Sequence, residues 1–192
     1  QLTGQKVWIA GAVGPLGRPI EPIGSISLAE ARRVFAEQVQ ALVDAGVDLL
    51  IMETFTSVAE IREAVAAAQE VSDRPIIAQL TFTQEGVTPA GDTAEEVVSA
   101  LTEMGVLTIG ANCSVGSEPM LQVIEGMAPH SSLPLSALPN AGFPQYADGR
   151  FVYLSSPSYM ADYALRMLDA GAVIIGGCCG TTPEHIAAMR EA

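Results

Sequence analysis

Hydrophobic positions along the chain fall into two alternating patterns. Short runs of nearly unbroken apolarity occupy residues 7–13, 47–52, 76–81, 106–109, 133–138 and 173–175. Runs that do not alternate with polar residues predict strands buried on both faces, as in a parallel sheet covered by helices. Between them, apolar residues recur every three or four positions: Ala31, Phe35, Val39 and Leu42 in one segment, Ile61, Val65 and Ala68 in another, Leu165 and Leu168 in a later one. That spacing predicts amphipathic helices whose apolar stripe faces a core. Ser27 with Glu30, Ser57 with Glu60 and Thr93 with Glu96 have the form of capping boxes. Ser156-Pro157 and Thr182-Pro183 place a proline at a first helical position, where its missing N–H costs nothing. Gly46, Gly105 and Gly171 each stand between a helix and the next strand, as a left-handed terminator would.

The pattern amounts to six β-then-α units, with long loops after the strands and short turns before them. This asymmetry suits an α/β barrel, in which the loops after the strands build the active site. A doubly wound open sheet is the alternative. Its dinucleotide turn is not found: Gly11-Ala12-Val13-Gly14-Pro15 lacks the GxGxxG spacing and carries a proline.

Composition narrows the function more than the fold. The chain has 192 residues, 49% hydrophobic, with 9 Lys+Arg against 22 Asp+Glu and a formal net charge of −13. Such an apolar chain can bury enough surface to offset its ordering entropy. No run stays apolar long enough for a transmembrane span. The negative field and the lack of a basic patch exclude nucleic acid as a partner. Three cysteines, an odd number, argue against a closed disulfide framework and fit a reducing, cytoplasmic setting.

Those cysteines are the sharpest chemical feature. Cys113 follows the fourth apolar run in Gly110-Ala111-Asn112-Cys113, and Cys178 and Cys179 follow the sixth in Gly176-Gly177-Cys178-Cys179-Gly180. Three thiolates converging from two strand ends can hold Zn²⁺ and leave its fourth position open. The alternatives are small buried hydrophobes, a strained vicinal disulfide acting as a redox switch, or Cys113 as a metal-free nucleophile. Glu53 closes the second run and reads either as a group recognising an amine or hydroxyl or as a cap for loop amides. Asn140, in Pro139-Asn140-Ala141-Gly142, offers an amide to a ligand or simply shapes a turn. Gln79 and Thr81 are polar positions in an apolar run, facing either the interior or outward. His185 reads as structural, in the first turn of the last helix, and His130 falls at the wrong end of its unit for catalysis.

The residues also carry a resemblance. Gly110-Ala111-Asn112-Cys113 together with Gly176-Gly177-Cys178-Cys179-Gly180-Thr181-Thr182-Pro183-Glu184-His185-Ile186 resembles the homocysteine S-methyltransferase family, which includes betaine–homocysteine methyltransferase and the homocysteine module of methionine synthase. Ala10-Gly11-Ala12-Val13-Gly14-Pro15, Met52-Glu53-Thr54 and Pro139-Asn140-Ala141-Gly142 resemble the family's third, fourth and seventh strand motifs. The resemblance implies a (β/α)8 TIM-type barrel of which residues 1–192 supply strands three to eight, an N-terminally truncated homocysteine-binding domain that is inactive alone. It implies Cys113, Cys178 and Cys179 as zinc ligands and Glu53 as the group binding the homocysteine amine, with Asn140 also at the substrate. The implied reaction is zinc-dependent methyl transfer to homocysteine, giving methionine. The donor, among S-methylmethionine, betaine and methylated folate or corrinoid, is not readable. A fused reductase or cobalamin module is an implied partner. The rivals are an inactive zinc-binding scaffold or regulatory module and the metal-free Cys113 enzyme.

Overall fold

A computed structural model describes residues 7–192. Strands and helices follow in the order β1 (Ala10–Val13), α1 (Leu28–Asp44), β2 (Leu49–Phe55), α2 (Val58–Val71), β3 (Ile76–Leu80), α3 (Ala94–Glu103), β4 (Thr108–Asn112), α4 (Ser117–Met127), β5 (Leu135–Leu138), β6 (Gln145–Ala147), β7 (Arg150–Val152), α5 (Pro157–Asp169), β8 (Ala172–Ile175) and α6 (Pro183–Glu191). Each of the six apolar runs overlaps one strand of a single sheet, ordered β1-β2-β3-β4-β5-β8 and parallel throughout. Every long strand pairs with the next one in the chain. A doubly wound sheet would reverse direction at a switch point; this sheet does not, and so has the order of a partial barrel.

The central strands are buried on both faces; all five residues of β4 are inaccessible. Val13, Leu50, Met52, Leu80, Ile109 and Ala137 join Phe35, Ile61, Leu101 and Ile124 from the helices in one core. The first and last strands differ: β1 and β8 each have one neighbour in the sheet, and Trp8, Ile9, Val173 and Ile174 stand exposed there.

Local signals account for most helix ends. Thr93 and Glu96 form the reciprocal capping box, Glu96 N–H donating to Thr93 Oγ1 and Thr93 N–H to Glu96. Ser27 and Ser57 cap from one side only. Glu60 instead accepts from Leu16 N–H at 2.7 Å, tying the loop after β1 to α2. Gly46, Gly105 and Gly171 have φ of 86°, 70° and 106°, the left-handed conformation expected at these exits.

Two readings of the sequence are corrected. Leu165 and Leu168 do not face the core: they are 44% and 55% exposed, and the buried stripe of α5 is Met160, Ala161, Ala164 and Met167. The two leucines lie one step round the helix, over a groove shared with Ile175 and Ile186 on the β8 side of the sheet. The segment between β5 and α5 also holds an antiparallel hairpin, β6–β7, absent from the six-unit pattern. Its three-residue strands are too short to show a period, but Asp148-Gly149, both at positive φ, is the turn signal.

Candidate metal centre

The three cysteines meet at the C-terminal end of the sheet. Their Sγ atoms all lie within 4.8 Å of one another, and Cys113 Sγ is 3.7 Å from Cys179 Sγ. Sulfur atoms bound to one tetrahedral metal at about 2.3 Å stand about 3.8 Å apart, so the set fits a metal ion with little rearrangement. All three are free, two half-buried and one exposed, unlike cysteines used merely as small core hydrophobes.

The loop after β5 braces the two cysteine loops. Cys113 N–H donates to Leu138 O and Cys178 N–H to Pro139 O, while Asn140 N–H donates to Val115 O and Ala141 N–H to Cys179 O. Cys113 and Ser114 are both left-handed, at φ 60° and 59°, a tight reversal that turns the thiol back over the strand ends. On the other loop a Cβ at Gly180 would fall 2.2 Å from Tyr153 Cγ. Glycine is therefore what lets the Tyr153 ring pack against the residue after Cys179.

These contacts set the electrostatics. A hydrogen bond with Cys178, then bonds from Ser114 N–H, Cys179 and the Asn140 side chain, hold the Cys113 thiol down at about 5 against the opposing effect of burial. Cys178 moves the other way, pushed up by its bond to Cys113 and by burial. The two shifts are opposite because the pair shares one hydrogen bond, which favours a single negative charge on the two sulfurs together. A cation placed among them would relieve both constraints.

Glu53 lies near the end of β2, partly buried, its carboxyl raised first by burial and then by the charge of Cys113. Asn140 is buried, and its Oδ1 accepts from Cys179 N–H at 3.1 Å. Gln79 and Thr81 both face inward: Gln79 Nε2 donates to Ser136 Oγ, and Thr81 Oγ1 bonds to Ser114 Oγ. His185 is structural, as expected, its Nδ1 accepting from Thr182 N–H and its Nε2 bonded to Ser155 O. His130 lies in a short 3₁₀ turn before β5, away from the mouth. A groove of about 520 Å³ runs over the loops after β1, β2 and β3, but no cysteine lines it.

Sequence reasoning did not single out Asn112, Thr54 or Tyr153. Asn112 was visible only as the residue before Cys113, and Thr54 only as the residue after Glu53. Tyr153 has no local signal, because its relevance comes from the Gly180 loop 27 residues away.

The sequence model of the homocysteine S-methyltransferase family matches residues 1–192. Methionine synthase of Mycobacterium tuberculosis is 28% identical over 194 residues, covering 98% of this chain and 16% of that protein. The chain thus spans only a small part of the curated relatives it matches. The metallated form of the homocysteine methyltransferase MmuM from Escherichia coli superposes with a TM-score of 0.81 at 27% identity, over 99% of this chain and 62% of that one. The apo form gives 0.79 at 28% identity, over 96% and 62%.

Proposed function

The chain belongs to the homocysteine S-methyltransferase family, and from that premise we propose that Cys113, Cys178 and Cys179 hold a zinc ion for methyl transfer to the thiol of homocysteine, giving methionine. The observation that carries this reading is the meeting of three sulfur atoms within 4.8 Å at the open end of the sheet. Three thiolates leave a tetrahedral ion one free position, and soft sulfur donors favour zinc over magnesium or calcium. We assign residues 1–192 to strands three to eight of an eight-unit barrel. The single-neighbour edges of β1 and β8 support this assignment, since two further units would pair with both. The six units by themselves would then be inactive.

When bound, zinc lowers the pKa of the substrate thiol and so presents sulfur as a thiolate at neutral pH. The chain's own residues do the rest. The braced cysteine loops keep three donors converged. Glu53 takes the α-ammonium group of homocysteine, so the substrate is fixed at two points and its sulfur is aimed. Asn140, joined to Cys113 and to Cys179 N–H, forms the wall beside the substrate. The thiol proton leaves to solvent on binding. The S–CH₃ bond then forms as the donor's bond to the methyl carbon breaks, and the electron pair departs with the donor. Neither described histidine is assigned as a base.

The donor is a small molecule or a methyl-carrying module; the match to a short stretch of methionine synthase supports further modules in the same polypeptide. No helix among the described residues is long and apolar enough to cross a membrane, and the free thiols fit a cytoplasmic setting. The test is zinc stoichiometry and homocysteine-dependent methyl transfer in the whole protein. Cys113→Ser, Cys178→Ser and Cys179→Ser should each lose both together. Full zinc content with normal turnover in any of them overturns the assignment. A wild-type protein that binds zinc but transfers no methyl group would be a scaffold. One active without metal would point to Cys113 as a nucleophile, the reading its lowered pKa favours.

A further inference from the structure

The end of β2 is irregular in a way that its sequence does not require. Met52 pairs with Ala78 and Phe55 with Leu80, so three steps along β2 match two along β3, and Glu53-Thr54 form a bulge. Thr54 sits at φ 64°. A β-branched residue is strained there and persists only where its surroundings over-determine it.

One side chain supplies that determination. Asn112, fully buried at the end of β4, accepts from Thr54 N–H through Oδ1 at 2.8 Å and donates through Nδ2 to Thr54 Oγ1 at 2.8 Å. The same Nδ2 reaches Glu53 Oε2 at 3.5 Å, the outer limit of a hydrogen bond. The amide orientation is forced, since only its oxygen can face the Thr54 N–H. The residue after Asn112 is Cys113.

We infer that Asn112 is a positioning residue: by clamping Thr54 in the left-handed bulge it aims the Glu53 carboxylate and fixes it relative to Cys113, setting the spacing between the amine site and the sulfur site. A bulge re-aims the side chains on either side of it. Without the clamp Thr54 relaxes to negative φ and Glu53 turns with it. The inference rests on the reading of Glu53 as the amine-binding group and adds to it the device that sets its direction.

The experiment compares homocysteine with 4-mercaptobutanoate, the same thiol without the amine, in the whole zinc-loaded protein. Asn112→Ala should raise the homocysteine KM by about tenfold, the loss of one charge-assisted contact, with zinc content and the KM of the methyl donor unchanged. Its effect on 4-mercaptobutanoate should be absent. Adding Thr54→Gly should restore most of the loss, because glycine adopts positive φ without a clamp. Asn112→Asp keeps the acceptor for Thr54 N–H but removes the donor and sets a second carboxylate beside Glu53. It should raise the same KM and serves if the alanine variant does not fold. An equal loss for both thiols, loss of zinc, or failure of the glycine rescue overturns the inference. So does a crystal structure of the alanine variant in which Thr54 stays at positive φ and Glu53 keeps its direction. If the wild-type protein treats both thiols alike, the amine role of Glu53 fails instead, and that crystal structure still decides whether Asn112 holds the bulge.

Discussion

Replacing Glu53 by glutamine tests the proposed substrate geometry most directly. The carboxylate is partly buried and has no ion-pair partner among the described residues; burial and the charge of Cys113 both push its pKa up. An ammonium group arriving beside it therefore relieves an existing cost. Hydrogen bonds to charged groups contribute about 1.5–3 kcal/mol, and the partial exposure of Glu53 places this contact toward the lower end. Glutamine keeps the shape and one acceptor oxygen but loses the charge. At about 1.4 kcal/mol per decade, the homocysteine KM should rise roughly 10- to 30-fold. Zinc content should not change, because Glu53 adds no atom to the three-sulfur cluster. The assay is steady-state methyl transfer over a homocysteine titration, with metal analysis of the same preparations. An unchanged KM, or a protein that has lost its metal, would refute the reasoning. The first outcome would mean the amine is held elsewhere, and the second that Glu53 supports the metal site.

Two further outcomes concern the scaffold. Ser136→Ala should destabilise by about 1–3 kcal/mol in chemical denaturation, because it strips the buried Gln79 amide N–H of its partner while Gln79 Oε1 is already unpaired; adding Gln79→Met should recover most of the loss, and a double variant as unstable as the single one contradicts this account. Glu60 titrates above its ordinary 4.5 because burial outweighs its bond from Leu16 N–H, so the fold favours its neutral form; that contribution is complete below the unfolded pKa and is lost as pH rises through the raised folded value. Glu60→Gln, neutral at every pH, should therefore gain in Tm relative to wild type as pH rises above the ordinary carboxylate value of 4.5, and a relative loss over that rise would reverse the sign of the argument.

Much of this molecule is written locally. The six strands follow from unbroken apolar runs; for the central ones the reason is that a strand covered on both faces has no polar side to alternate with. Thr93, Ser156-Pro157 and the three exit glycines mark helix ends because capping depends on residues within one turn of each other. The placement of all three cysteines just after strands was equally readable, since in a parallel sheet with β–α connections all such positions lie at one end. The family was legible too, because the motifs around them resemble the one whose sequence model matches the chain.

Other features could be decided only in three dimensions. That Cys113 and Cys179 approach to 3.7 Å depends on register across β4, β5 and β8 and on a loop that lies between them. No pattern near either cysteine encodes that distance. Leu165 and Leu168 fit a helical stripe as well as Met160 and Met167 do. Which stripe is buried was settled by the direction from which the sheet and neighbouring helices approach α5. The Thr54 bulge is the clearest case. Local preference opposes a threonine at φ 64°, and the partner that holds it, Asn112, lies 58 residues along the chain. The sequence determined the alternation of elements and the kinds of donor at the strand ends, because both depend on short-range periodicity and side-chain chemistry. The tertiary structure decided which donors meet, at what distance and in what direction, because those depend on contacts between residues remote in the chain.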